Sequence, residues 1–384
     1  MSTLSWRHSL RTAVAIGAAL AVVSFASARL AAQEVVDAPH PVPVVTEATG
    51  AALDVGLAAV VTQDYDWFDT RRNRAVPVRL YLPAQPAGTR VQPLVVFSHG
   101  IGGSRRGYSY LGGYWASRGY ASLHVQHVGS DRSLWSGNVF NLVARLHGAA
   151  QADEAIARVH DLRFALDQVL DLPDVGQRID PARIVAAGHS YGANTVMLAV
   201  GARVERNGGV LDLVDRRLGA AILLSSPPFY GETDTARILA DIPVPTLHIT
   251  ATEDIIRLPG YYSGAEDRIA VYEAMSGGRK ILAVFAGGSH SMFTDRSGTG
   301  GVALNPQVKA ATRELSAAFI EAVFGGGDVA LRDWPVRHNA IVARFAASGS
   351  WTGAVAGLLS EVRVVDTRSG RAARLISDCG LSSL

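Results

Sequence analysis

Arg183-Ile-Val-Ala-Ala-Gly-His-Ser-Tyr-Gly-Ala193 decides how this chain is read. Four consecutive apolar residues, Ile184 to Ala187, have the character of a strand covered on both faces. They run directly into Gly188-His189-Ser190-Tyr191-Gly192, which has the Gly-x-Ser-x-Gly spacing of a nucleophile elbow. The stretch that follows, Asn194-Thr-Val-Met-Leu-Ala-Val200, is apolar with small residues and fits a helix packed on a sheet. A serine squeezed into a strand-to-helix turn is forced into strained φ/ψ, which small flanking residues permit. The turn lifts Oγ clear of the backbone, and the helix N-terminus beneath it favours negative charge nearby. Gly-x-Ser-x-Gly alone arises readily in a glycine-rich chain; the strand before it and the helix after it give it weight.

Working outward, strands and helices alternate. Asp64–Asp69 and Val76–Leu82 flank the charged turn Thr70-Arg-Arg-Asn-Arg74, a hairpin pattern suited to a sheet edge. Leu94–Phe97 and Tyr120–Val125 read as strands, with a helix at Tyr108–Ser117 between them. Ala152–Leu170 is a long amphipathic helix with Ala155, Val159, Leu162, Leu166 and Leu170 on one face. Beyond the elbow come strands at Ala220–Leu224, Pro245–Thr250 and Lys280–Phe285, and a helix from about Pro306 to Phe324. This order predicts an α/β, doubly wound, mostly parallel sheet with right-handed crossovers and antiparallel N-terminal edge strands. Such a sheet carries its reactive groups at the carboxyl ends of its strands.

The 384 residues carry 36 basic and 34 acidic side chains, a balance that gives no basic face for nucleic acid. Arg7, His8 and Arg11 precede the apolar run Ala13–Phe25, with cleavage-like Ala26-Ser-Ala28 and Leu30-Ala-Ala32 after it. Residues 1–32 therefore read as a signal peptide, which implies export to the periplasm or medium and no stable membrane insertion once it is removed; an uncleaved N-terminal anchor is the competing reading. Residues 33–60 form an extended Pro/Val/Ala-rich leader, residues 61–325 the catalytic domain, and residues 326–384 an extension whose role is unreadable, though Glu361-Val-Arg-Val-Val-Asp366 has strand character. The segment 133–150, with Trp135, Phe140 and Leu142, lies where a cap would be inserted. The single cysteine, Cys379, permits no intrachain disulfide.

A serine hydroxyl needs a base to take its proton, and the base needs an acceptor that fixes its tautomer. In this architecture the order is Ser, acid, His. Of the eleven histidines, His248, His290 and His338 lie downstream of Ser190. His290, in Ala286-Gly-Gly-Ser-His-Ser-Met292 directly after the last core strand, is the expected base; His248 falls inside a strand and His338 in the extension. The acid follows the strand Pro245–Thr250, where Asp254 is preferred and Glu253 stays open as the alternative. Oxyanion donors are expected from the backbone N–H groups of Tyr191 and of Ile101, in Ser98-His-Gly-Ile-Gly-Gly103. His99 is expected to brace its own loop, His124 to sit in the core and His127 at the rim. Asp131 either lines the cleft or caps a turn. No metal-ligand spacing accompanies His124 and His127, so no metal is expected.

At these residues the chain resembles the α/β-hydrolase superfamily. Phe97-Ser-His-Gly-Ile-Gly-Gly-Ser104 and Gly188-His-Ser-Tyr-Gly192 are similar to the bacterial branch that includes dienelactone hydrolases, chlorophyllases and platelet-activating-factor acetylhydrolases. The similarity runs from about Asp64 to Phe324. It implies a serine hydrolase acting on small or lipid-like esters without a cofactor, with Ile101 and Tyr191 as the oxyanion pair. Ser190 stands where dienelactone hydrolases proper carry a cysteine, which argues against lactone chemistry. The elbow ends Tyr-Gly-Ala rather than the Met-Gly-Gly of polyester hydrolases. Two other classes stay open: an amidase or peptidase of the same fold, and a non-catalytic binding protein that kept the fold.

Overall fold

A nine-stranded sheet is the middle layer of the computed structural model, which describes residues 59–84, 91–206, 208–258, 261–349, 351, 364–365 and 372–373. The sheet belongs to a unit made of residues 56–137 and 142–384; residues 138–141, with the 3-10 turn Val139–Asn141, fall in a separate unit. In chain order the strands are β1 (Val60–Asp69), β2 (Arg74–Pro83), β3 (Gln92–Ser98), β4 (Ala121–Val125), β5 (Ile179–His189), β6 (Leu218–Leu224), β7 (Thr246–Glu253), β8 (Lys280–Ser289) and β9 (Val342–Ser348). Their spatial order is β1-β2-β4-β3-β5-β6-β7-β8-β9. Pairing is parallel from β4 through β8 and antiparallel at both ends, where β1 and β2 form one edge and β9 the other. The doubly wound sheet and its antiparallel N-terminal hairpin match the order read from the sequence.

The helices are α1 (Ser109–Ser117), α2 (Leu142–Ala149), α3 (Ala152–Asp171), α4 (Tyr191–Val200), α5 (Thr235–Leu239), α6 (Ala265–Ala274), α7 (Leu304–Val323) and α8 (Val329–Arg337). Successive strand residues point to opposite faces, so each central strand supplies two cores. Leu94, Val96, Ile184 and Ala186 pack with Val159, Leu162 and Leu166 of α3 and with Val196 and Met197 of α4. Val95, Phe97, Val185 and Ala187 pack on the other side with Leu111 and Trp115 of α1 and with Leu315 and Phe319 of α7. Covering both faces is why β3 and β5 read as continuous apolar runs rather than alternating ones. Trp115 is fully buried, and its indole N–H donates to Ser316 Oγ at 2.9 Å, which satisfies its one polar atom.

The chain past residue 325 is more integrated than its sequence suggests. Trp334 of α8 is buried, donating its indole N–H to the Ala311 carbonyl of α7 at 2.9 Å. Phe345 of β9 packs against Trp334 at a tilt, with ring centroids 5.5 Å apart. The fold thus continues at least through Trp351, whose ring packs near Phe319. Val364–Val365 pairs with Ala372–Ala373 and is no part of the nine-stranded sheet. Residues 1–32, read as a signal peptide, nearly all of the leader and Cys379 lie outside the described residues. No helix among the described residues is long and apolar enough to cross a membrane.

Candidate active site

The elbow forms because two positions tolerate no side chain. A Cβ on Gly188 would stand 2.3 Å from the Gly192 carbonyl oxygen, and one on Gly192 would stand 1.9 Å from that of Ser98. Between them Ser190 takes φ 55° and ψ −120°, a region that costs a non-glycine residue about 1–3 kcal/mol. Neighbouring bonds hold it there. Ser190 N–H donates to the Leu224 carbonyl of β6 at 2.9 Å, and its own carbonyl accepts from Ala193 at 2.9 Å as α4 begins.

Two other strand ends meet it. His290 opens the 3-10 turn His290–Phe293 directly after β8, and its Nε2 lies 2.8 Å from Ser190 Oγ. Its Nδ1 lies 2.7 Å from Asp254 Oδ1, one residue past β7. With the proton on Nδ1 donated to the carboxylate, the Nε2 lone pair faces the serine hydroxyl. Asp254 is fully buried; Thr250 Oγ1 donates to Oδ2 at 2.7 Å, and Ser225 Oγ donates to the same oxygen. Arg268, also buried, stands 3.6 Å from Oδ1 as an ion pair without hydrogen-bond contact. Burial alone would raise the Asp254 pKa; the bond to His290 and its charge, with Arg268 and Ser225, outweigh it and hold the carboxyl well below the usual range. Glu253 is exposed and takes none of these contacts.

The loop after β3 supplies backbone donors. The N–H groups of Gly100, Gly102 and Gly103 donate to Tyr108 Oη, the Ser130 carbonyl and the Gly100 carbonyl. Those of Ile101 and Tyr191 have no acceptor among the described residues. A Cβ on Gly100 would lie 3.4 Å from Ser190 Cβ, so this loop runs against the elbow. Trp135 packs on the same loop, its indole N–H donating to the Gly102 carbonyl at 2.8 Å.

The remaining sequence candidates sort by burial. His99 is buried; its Nδ1–H donates to the Gly100 carbonyl at 2.7 Å and its Nε2 accepts from His127 N–H at 3.1 Å. It braces its own loop, as expected. His124 and His248 are buried among aromatic rings. His338 faces Glu314 at 2.9 Å, away from the elbow. Asp131 caps the turn Arg132–Trp135, accepting from Ser133 N–H at 3.2 Å. His127 corrects an expectation: it is wholly buried rather than at the rim, because Ser98 and Asp161 provide partners for both ring nitrogens. Among the described residues no group of three His, Cys, Asp or Glu side chains is disposed to hold a metal.

Three contributors escaped the sequence reading. Ser225 takes φ 54° at the end of β6 to reach Asp254, and an isolated serine after a strand carries no signal of that. His189, inside the elbow motif, bridges Tyr108 and the backbone of His290. Arg158 did carry a signal: on α3 it is three residues after Ala155 and four before Leu162, on the buried face of an amphipathic helix.

The family model of platelet-activating factor acetylhydrolase, isoform II, matches residues 72–142, the region from the β1–β2 turn through β4 to the start of α2. No curated protein matches the chain. Among solved structures, a ferulic acid esterase from Streptomyces cinnamoneus superposes with a TM-score of 0.51 at 24% identity, covering 71% of this chain and 91% of that one. A cold-adapted esterase from an Arctic intertidal metagenomic library gives a TM-score of 0.44 at 18% identity, covering 60% and 86%. Strand order, the elbow between β5 and α4, and the likeness to the Streptomyces enzyme together make this chain an α/β-hydrolase fold.

Proposed function

We propose that this protein is a serine hydrolase of carboxylic esters, with Ser190 as nucleophile, His290 as general base and acid, and Asp254 orienting the imidazole. The observation that carries the reading is the continuous line of contacts from Ser190 Oγ to His290 at 2.8 Å and from His290 to Asp254 at 2.7 Å, ending in a buried carboxylate. Ser190 attacks the ester carbonyl carbon as His290 Nε2 takes the hydroxyl proton. The N–H groups of Ile101 and Tyr191 receive the negative charge that develops on the carbonyl oxygen. His290 then returns the proton to the departing alcohol, leaving an acyl-serine, and activates the water that releases the acid. Every participating group belongs to the chain, so the reading requires no cofactor. An acetylhydrolase family model and an esterase neighbour support an ester over an amide. Small-molecule or lipid-like esters are the substrates this reading favours, and the apolar run Ala13–Phe25 with Ala26-Ser-Ala28 supports export to the periplasm or medium.

The test is initial rates on p-nitrophenyl acetate and on the matched p-nitroanilide, for wild type and Ser190→Ala. The reading expects ester turnover far above anilide turnover, lost in Ser190→Ala with an unchanged circular-dichroism spectrum. Equal rates in the folded variant would remove Ser190 from the mechanism.

A further inference from the structure

Arg158 is fully buried, yet no carboxylate touches it among the described residues. Its Nε donates to Thr195 Oγ1 at 2.9 Å, Nη1 to Ser130 Oγ at 2.8 Å, and Nη2 to Ser98 Oγ at 3.1 Å and to the His99 carbonyl. The guanidinium also lies 4.5 Å from the centroid of the Tyr191 ring. Burying a cation without a contacting anion is costly, and proteins seldom keep one unless its partners do something with it.

The partners are telling. Ser98 and His99 begin the loop that carries the Ile101 N–H. Thr195 sits in α4 one turn on from Tyr191, and its hydroxyl donates in turn to the Tyr191 carbonyl at 3.1 Å. One rigid guanidinium fork therefore ties together the two segments that bear the two oxyanion donors. Its counter-charges are held at one remove, Glu154 behind a hydroxyl and Asp161 behind a hydroxyl and an imidazole. Ser130 Oγ donates to Glu154 at 2.6 Å, and Ser98 Oγ lies 2.9 Å from His127 Nε2, whose Nδ1 faces Asp161 at 3.1 Å. Burial keeps His127 neutral, with its pKa pushed down to about 3. Its Nδ1–H then donates to Asp161, so its Nε2 accepts from Ser98 and leaves the serine oxygen free to accept from Arg158. Glu154 and Asp161 therefore act on Arg158 from a distance rather than by contact, and its guanidinium lies against the start of the Ile101 loop and the Tyr191 ring.

We propose that Arg158 is a positioning residue that fixes the Ile101 and Tyr191 N–H groups relative to each other and adds a buried positive field beneath the oxyanion. This rests on the reading of Ser190 as nucleophile. It assigns Arg158 an effect on the transition state rather than on ground-state binding.

The test is kcat and KM for p-nitrophenyl acetate, per active site titrated with a fluorophosphonate, in wild type, Arg158→Gln and Arg158→Lys, with Ser190→Ala assayed per mole of protein as the control. Affinity for a phenylboronic acid, which forms a tetrahedral adduct on a reactive serine, is measured alongside. The expected result is a fall in kcat per titrated site of about 10- to 100-fold in Arg158→Gln with KM within about threefold. Boronate affinity falls in parallel, and Arg158→Lys recovers part of both by restoring the charge. Unchanged kcat per titrated site, with only fewer active molecules, would show a structural role and overturn the proposal. If neither Arg158 variant folds, Ser130→Ala and Thr195→Val each remove one acceptor; a kcat loss of about three- to tenfold supports the proposal and none overturns it. A wild type that neither turns over ester nor labels at Ser190 would overturn the nucleophile reading and this inference together. Active wild type, dead Ser190→Ala and fully active Arg158 variants would overturn the inference alone.

Discussion

His189 and His290 stand ring to ring, with centroids 4.8 Å apart, and His189 Nε2–H donates to the His290 carbonyl at 3.0 Å. The other nitrogen of His189 accepts from the Tyr108 hydroxyl at 2.8 Å, and that hydroxyl accepts from Gly100 N–H at 3.3 Å. Burial and the neighbouring His290 push the His189 pKa down to about 3, so the ring is neutral and its tautomer is set. The residue preceding Ser190 thus connects the loop of Ile101 to the backbone of His290. His189→Phe keeps a ring but loses both bonds, and is expected to cost about 1–3 kcal/mol in urea unfolding. Ester turnover should fall at least tenfold (about 1.4 kcal/mol) because His290 loses an anchor. Wild-type stability and rate in that variant would show that the bridge is idle.

Choosing between the two carboxylates after β7 is a separate experiment. Asp254→Asn leaves His290 without its acceptor and is expected to lower kcat by about 10⁴-fold with little change in KM. Glu253→Gln removes an exposed charge and should leave kcat within about twofold. The reverse pattern would reassign the acid.

Stability should depend on acid in a defined direction. His124, His127, His189 and His248 are each pushed down to about 3 by burial, and burial likewise holds His99 well below its ordinary value. A histidine with a depressed folded pKa contributes stability that is complete above its unfolded value, about 6.5, and is lost as pH falls toward its folded value. Asp161, held to about 2 by His127 and Arg74 against the opposing effect of burial, acts in the same direction below about pH 4. Unfolding free energy from urea titration should therefore decline from pH 6.5 downward, by up to about 1.4 kcal/mol per pH unit for each buried histidine. A flat profile between pH 7 and pH 4 would mean that these rings are not neutral in the folded protein.

Glycines at the elbow and on a helix surface should behave oppositely. Gly192→Ala drives a methyl group into the Ser98 carbonyl, and loss of both activity and about 2–4 kcal/mol of stability is expected. A Cβ at Gly113, inside α1, meets nothing within 4 Å, so Gly113→Ala should stabilise the protein by about 0.5–1 kcal/mol. Both are read from urea midpoints.

What was legible in the chain was local. Ile184–Ala187, the elbow and the apolar start of α4 are contiguous, so their pattern alone specifies strand, turn and helix. His290 stood out because the last parallel strand ends just before it. Asp254 and Glu253 could not be separated, because the difference between them is tertiary: Ser225, Thr250 and Arg268 approach only one of them. The same holds for β9, whose Val-Ala-Arg-Phe-Ala-Ala-Ser run is ordinary until β8 offers it an edge. His127 was misjudged as a rim residue because its burial depends on Asp161, thirty-four positions away on α3. An arginine on a helix ordinarily reads as solvated, so the identity of Arg158 hides what its spacing shows, a place among the buried residues.

The central claim is that the Ser190 hydroxyl is made reactive by His290. Intact-mass and peptide mapping after brief exposure to a fluorophosphonate test it most directly, in wild type, Ser190→Ala and His290→Ala. The account predicts one adduct on wild type, located on Ser190, none on Ser190→Ala, and labelling slowed by about 10³-fold or more in His290→Ala. An adduct on another residue, or equal labelling rates in wild type and folded His290→Ala, would contradict it.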